Sequence, residues 1–135
     1  MSLLLDTGIL YAYYDRSDRW HGRARKLIQG ERRGLLLPAP VIPEVDHLLG
    51  HRLGAASRLA FYKGITAGHY LVTDLPRAAY PRVADINQQF EDLDLGFVDA
   101  AIVALAEALK VQRVGTTDRR HFEPLAARFS LQLLP

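Results

Sequence analysis

Four carboxylates set the chemistry available to this chain: Asp6, Glu44, Asp99 and Asp118. Asp6 ends the apolar run Leu3-Leu4-Leu5, and Glu44 comes after Pro43 at the head of a helical stretch. Asp99 closes Leu95-Gly96-Phe97-Val98-Asp99, and Asp118 sits in Thr116-Thr117-Asp118-Arg119. Brought to one place, four carboxylates repel one another and call for a cation. The chain has no cysteine, and its histidines form no cluster in sequence. An all-oxygen donor set selects a hard ion, Mg²⁺ or Mn²⁺, over zinc. Such an ion polarises a phosphodiester and acidifies water, the two requirements of its hydrolysis. Each acid also has a purely structural reading. Asp6 and Asp118 suit helix or turn caps, while Glu44 and Asp99 suit the positive end of a helix dipole.

Apolar spacing gives the strands and helices that carry these acids. Leu3 to Leu5 is a short continuous apolar run of the kind buried in parallel sheets, and Leu35 to Leu37 is a second, stopped by Pro38 and Pro40. Further strands are expected at 70–72, 111–116 and 131–134. Helical spacing appears at Ile9, Leu10 and Tyr13; at Trp20, Ala24, Leu27 and Ile28; and at Val45, Leu48 and Leu49. It continues through 55–62, where 50–54 is the expected join. It returns at Ala79, Val83, Ile86 and Phe90, at 122–129, and along the stripe Val98, Ile102, Leu105, Ala106 and Leu109. Gly30 and Gly34 bracket the charged turn Glu31-Arg32-Arg33. Strands alternating with helices, without hairpin signals, give an α/β fold: a three-layer α/β/α sandwich on a mostly parallel five-stranded sheet. In such a sheet all four acids border the carboxyl-terminal rim. If the first and fourth strands are neighbours, Asp6 and Asp118 face each other where the winding reverses.

Composition narrows the class. One hundred and thirty-five residues, 49% hydrophobic and 24% charged, suit a single domain over 1–135. No apolar run approaches the ~20 residues of a membrane span, and the first residues lack the pattern of a signal peptide. A cytoplasmic protein is expected. A formal net charge of +2 permits nucleic-acid binding without requiring it.

Four pieces of the chain, in order, resemble the PIN-domain ribonucleases and, within them, the VapC-type toxins of bacterial toxin–antitoxin pairs. They are Leu-Leu-Leu-Asp-Thr-Gly at 3–8, Pro-Glu-Val at 43–45, Leu-Gly-Phe-Val-Asp-Ala-Ala-Ile at 95–102, and Thr-Thr-Asp-Arg-Arg-His-Phe at 116–122. The resemblance implies a PIN-like fold and endonucleolytic, Mg²⁺- or Mn²⁺-dependent cleavage of RNA. It implies Asp6, Glu44, Asp99 and Asp118 as metal-binding acids, with Thr116 as a supporting hydroxyl. It further implies dimerisation, or a hetero-oligomer, with inhibition by a small antitoxin. Gly8 stands where many relatives carry Ser or Asn, so polar support from that position is missing.

Three further expectations attach to particular residues. Arg119, Arg120 and His121 are placed to meet RNA phosphates beside the acids, or else form a solvated turn. Tyr11, Tyr14, Trp20, Leu48 and Leu49 exceed what short early helices bury, and some of them are expected to line a groove for an antitoxin helix. Glu44 is open between orienting a water and acting as base. The alternative to an enzyme is a non-catalytic, metal-stabilised protein-binding module of the same fold.

Overall fold

A computed structural model of the protein describes residues 2–31 and 34–135. Met1, Arg32 and Arg33 lie outside the described residues, and with the two arginines goes part of the charged turn expected between Gly30 and Gly34.

The chain alternates strand and helix. β1 (Leu3–Leu5) leads to α1 (Thr7–Tyr14) and α2 (His21–Gly30), and β2 (Leu35–Pro38) to α3 (Val41–Arg52) and α4 (Ala55–Thr66). β3 (Leu71–Thr73) is followed by a short turn of 3₁₀-helix, then α5 (Tyr80–Gln89) and α6 (Phe97–Leu109). β4 (Arg113–Gly115), α7 (Arg119–Phe129) and β5 (Gln132–Leu134) complete it. The five strands form one sheet in the order β3-β2-β1-β4-β5, and every pairing is parallel. The sheet is therefore wholly parallel where the sequence suggested mostly so.

From β1 the chain steps outward to β2 and β3, then returns past β1 to β4 and β5. Right-handed crossovers put the helices of the two journeys on opposite faces. Accordingly α1 packs on α2 and α3, and α3 on α4, while α6 packs on α5 and α7. The reversal falls between β1 and β4, where Leu5 pairs with Gly115. All strands point to the same rim, so the residues after Leu5 and after Gly115 meet there.

Leu3, Leu4 and Leu5 are fully buried, and each such side chain gains about 1.5–3 kcal/mol over exposure. α6 is more deeply set than its apolar stripe implied. Seven consecutive residues, Ala100 to Ala106, are buried, whereas Leu109 is exposed. α5 lies against it. α3 also runs through Gly50 to Arg52, so the join to α4 shrinks to Leu53 and Gly54. Gly54 takes φ +102°, a conformation that glycine adopts at no steric cost.

The five large residues of the early helices, some of them expected to line a groove, differ in burial. Tyr11 and Leu49 belong to the core. The Tyr14 hydroxyl lies 2.8 Å from that of Tyr70, and its ring packs edge-on against Phe61. Only Trp20 and Leu48 stay partly open without such ties, and they are on different helices. The burial follows from the packing of α1 against α3 and of Tyr14 against Phe61 of α4, which apolar spacing within a single helix does not reveal.

Candidate metal centre on the carboxyl rim

The site is assembled from four element junctions. Asp6 leaves β1 as the N-cap of α1, and its Oδ1 accepts the Thr7 N–H at 2.7 Å. Its Oδ2 accepts the hydroxyl of Thr116, one residue beyond β4, at 2.8 Å. Thr116 is fully buried, and its oxygen also accepts the Asp118 N–H at 3.0 Å. Asp118 caps α7 by accepting the His121 N–H at 3.1 Å. The capping roles of Asp6 and Asp118 and their place on the rim are thus both present. Asp99, in the first turn of α6, arrives from the opposite face of the sheet. Glu44, in the first turn of α3, is exposed and accepts the Thr7 hydroxyl at 2.6 Å.

Asp99, Asp118 and His121 come closest together, with one potential ligand atom from each lying within 4.8 Å of the others. His121 Nδ1 stands 3.1 Å from Asp99 Oδ2 and 2.9 Å from Asp118 Oδ2. The sequence assigns this histidine only to a phosphate-facing or solvated turn. The signal that finds it is its spacing three residues after a capping aspartate, which brings the ring back over the cap. Its neighbours go elsewhere: the Arg119 guanidinium donates to the main-chain oxygen of Pro135, and Arg120 is exposed.

Thr7 and Thr117 also escaped the sequence reading. Thr7 links the site's first strand to Glu44. The Thr117 hydroxyl oxygen lies 2.3 Å from where a Cβ on Gly8 would stand. The space beside Gly8 is therefore occupied by a hydroxyl from the neighbouring loop.

The electrostatics show the strain of concentrating anions. Burial pushes the Asp6 carboxyl up to about 6, opposed by its bonds from Thr116 and Thr7 and reinforced by the charges of Asp118 and Glu44. Burial also lifts Asp99 to about 7, with Asp6 and Asp118 adding to the rise and His121 opposing it. Carboxyls held this far above their ordinary range are poised to exchange protons for a cation. Three half-buried or buried aspartates, one imidazole nitrogen and an exposed glutamate fit a divalent ion that keeps part of its water shell.

Comparisons with known proteins bear on the family and the fold. The family model described as "PIN domain" matches residues 3–127. Ribonuclease VapC26 of Mycobacterium tuberculosis is 29% identical over 123 residues, spanning 91% of this chain and 91% of its own. Among solved structures, VapC20 of Mycobacterium tuberculosis, described as a sarcin-ricin loop cleaving toxin, superposes with a TM-score of 0.77 at 20% identity, covering 84% of this chain and 87% of its own. FitAcB from Neisseria gonorrhoeae gives 0.63 at 17% identity, over 98% and 96%. Both structures share the fold, and with the family match over nearly the whole sequence the chain belongs to the PIN domain family.

Proposed function

We propose that this chain is a single nuclease domain over residues 1–135, an endoribonuclease dependent on Mg²⁺ or Mn²⁺, and the toxin of a toxin–antitoxin pair. The observation that carries this reading is the cluster of Asp99, Asp118 and His121 on the rim where Asp6 ends β1, with the carboxyls of Asp6 and Asp99 both raised. Asp6, Asp99 and Asp118, with Glu44 at the exposed edge, are the residues that would hold the ion. When bound, the ion supplies charge to a phosphodiester oxygen and acidity to water.

The chain's own groups do the rest. Thr116 holds the Asp6 carboxylate in orientation through a buried hydrogen bond, and the Asp118 N–H fixes Thr116 in turn. Glu44, exposed and steadied by Thr7, is the group free to take a proton from water entering the rim. His121 holds Asp99 and Asp118 together and adds a nitrogen donor, which Mn²⁺ accepts more readily than Mg²⁺ does.

The named relatives, a ribonuclease and a toxin, support RNA as substrate and a small antitoxin as partner, in a homodimer or a hetero-oligomer with the antitoxin. Among the described residues no helix is long and apolar enough to cross a membrane, and we assign the protein to the cytoplasm. The test is incubation of structured RNA with the protein in Mn²⁺, in Mg²⁺ and in EDTA. Internal cleavage in either ion, abolished by EDTA and by Asp99→Asn, is the expected result. A well-folded protein that binds Mn²⁺ yet leaves RNA intact would instead be the non-catalytic module.

A further inference from the structure

Outside the acidic rim, one surface carries charge that the fold does not use. Arg16, Arg19, Arg23, Arg25 and Lys26 are all exposed, on the loop after α1 and along α2. Among the described residues none of the five forms an ion pair with a carboxylate, whereas Arg58, Arg82 and Arg113 all do. The acids nearest in sequence are otherwise engaged. Asp15 accepts the Tyr11 hydroxyl at 2.5 Å and the Ser17 N–H and hydroxyl, and Asp18 accepts the Trp20 N–H at 2.8 Å.

Trp20 organises the patch. Its half-buried ring has the Arg23 guanidinium carbon 3.9 Å from the ring centroid and that of Arg19 at 5.7 Å. A guanidinium stacked on a ring uses its face and leaves its N–H edges free. Arg23 and Lys26, three residues apart, lie on the outer side of α2 while Ala24 and Ile28 face the core, and Arg19 extends this stripe from the turn just before the helix. The His21 ring, 2.8 Å from the Ala12 carbonyl oxygen, ties the start of this helix to α1.

We propose that this stripe is a phosphate track for the RNA substrate, with Trp20 fixing Arg19 and Arg23 in position. The inference rests on the ribonuclease reading and names how that site holds its substrate. The rim itself, with Asp6, Glu44, Asp99 and Asp118, repels a polyanion, and a net charge of +2 gives little general attraction. Binding energy must come from cations set apart from the acids. α1 starts at the rim, and its eight residues lead about 12 Å away to the loop that opens the stripe. Four of the five cations are arginines, whose planar fork matches phosphate oxygens.

The test separates binding from cleavage by using the Asp99→Asn protein in EDTA and a short fluorescein-labelled single-stranded RNA. Anisotropy is read between about 50 and 200 mM salt. Replacing Arg19, Arg23 and Lys26 by glutamine should weaken binding at least tenfold and lower the slope of log K against log salt by about 2, at ~0.7 per phosphate contact. Replacing Lys63, Arg77 and Arg128 by glutamine makes the same change in net charge elsewhere and should move both far less. Equal losses in the two triple variants, or none in the first, overturn the track. Loss of binding to an acidic protein segment, with RNA binding intact, would overturn it in favour of a protein-docking face. Failure of the wild-type protein to cleave RNA in Mn²⁺ would refute the nuclease reading by itself, because the binding measurement involves no cleavage.

Discussion

The Thr116 hydroxyl donates to Asp6 Oδ2 at 2.8 Å across 110 residues of sequence, and the same oxygen accepts the Asp118 N–H. One buried threonine thus joins the acid that ends β1 to the acid that opens α7. Thr116→Val keeps the volume and removes both bonds. It should cost about 1–3 kcal/mol, a fall in melting temperature of roughly 3–6 °C for each kcal/mol in a domain of this size. The Asp6 carboxyl should rise further. Calorimetry at pH 7 in EDTA checks it, and an unchanged melting point would deny the hydroxyl its structural part.

Asp99→Asn should raise the metal-free melting temperature at pH 7.5 by several degrees, because it removes a charge held among Asp6 and Asp118 while making no hydrogen bond that holds the backbone. Asp6→Asn should gain less, since its amide forfeits the bond from Thr116. Addition of Mn²⁺ should stabilise the wild type, as any ligand of the native state does, and stabilise Asp99→Asn far less.

The pH dependence has a definite sign. Asp6 at about 6 and Asp99 at about 7 both lie above the ordinary carboxyl value of 3.8. The folded protein therefore keeps protons that the unfolded chain releases, and their stabilising contribution is lost as pH rises through 6 and then 7. In EDTA the melting temperature should fall between pH 5 and pH 8. Asp99→Asn should flatten the upper part of that fall. Saturating Mn²⁺ should oppose it, because the ion binds the deprotonated acids. Melting curves at four pH values, with and without Mn²⁺, decide the matter.

His121→Ala should weaken Mn²⁺ binding by about 10- to 100-fold, the range for groups that orient or complete a metal site. Titration calorimetry on the metal-free protein reads it directly. Undiminished affinity would mean that the imidazole only covers the two carboxylates.

Glu44→Gln should leave stability within about 0.5 kcal/mol of wild type, as at most exposed positions, since the amide oxygen still accepts the Thr7 hydroxyl. Cleavage should nonetheless slow by about 100-fold or more if the carboxylate takes the proton. Full activity in this variant would remove Glu44 from the chemistry.

Local chemistry in the chain was enough to place Asp6 at a strand end, Glu44 and Asp99 in first helical turns, and Asp118 before a helix. Leucine runs, prolines and apolar periods are short-range signals, and they also determined the alternation of strand and helix. The adjacency of β1 and β4 is not such a signal. It depends on the hand of crossovers that carry the chain to β3 and back, and it alone makes neighbours of Asp6 and Thr116. The contacts of His121 with Asp99, of Thr7 with Glu44, and of Thr117 with the space beside Gly8 depend on the same closure. Each joins residues from different element junctions, whose approach is set by helix packing on the two faces of the sheet. Residue type and spacing therefore determined which groups could act, and the winding of the parallel sheet decided which of them meet.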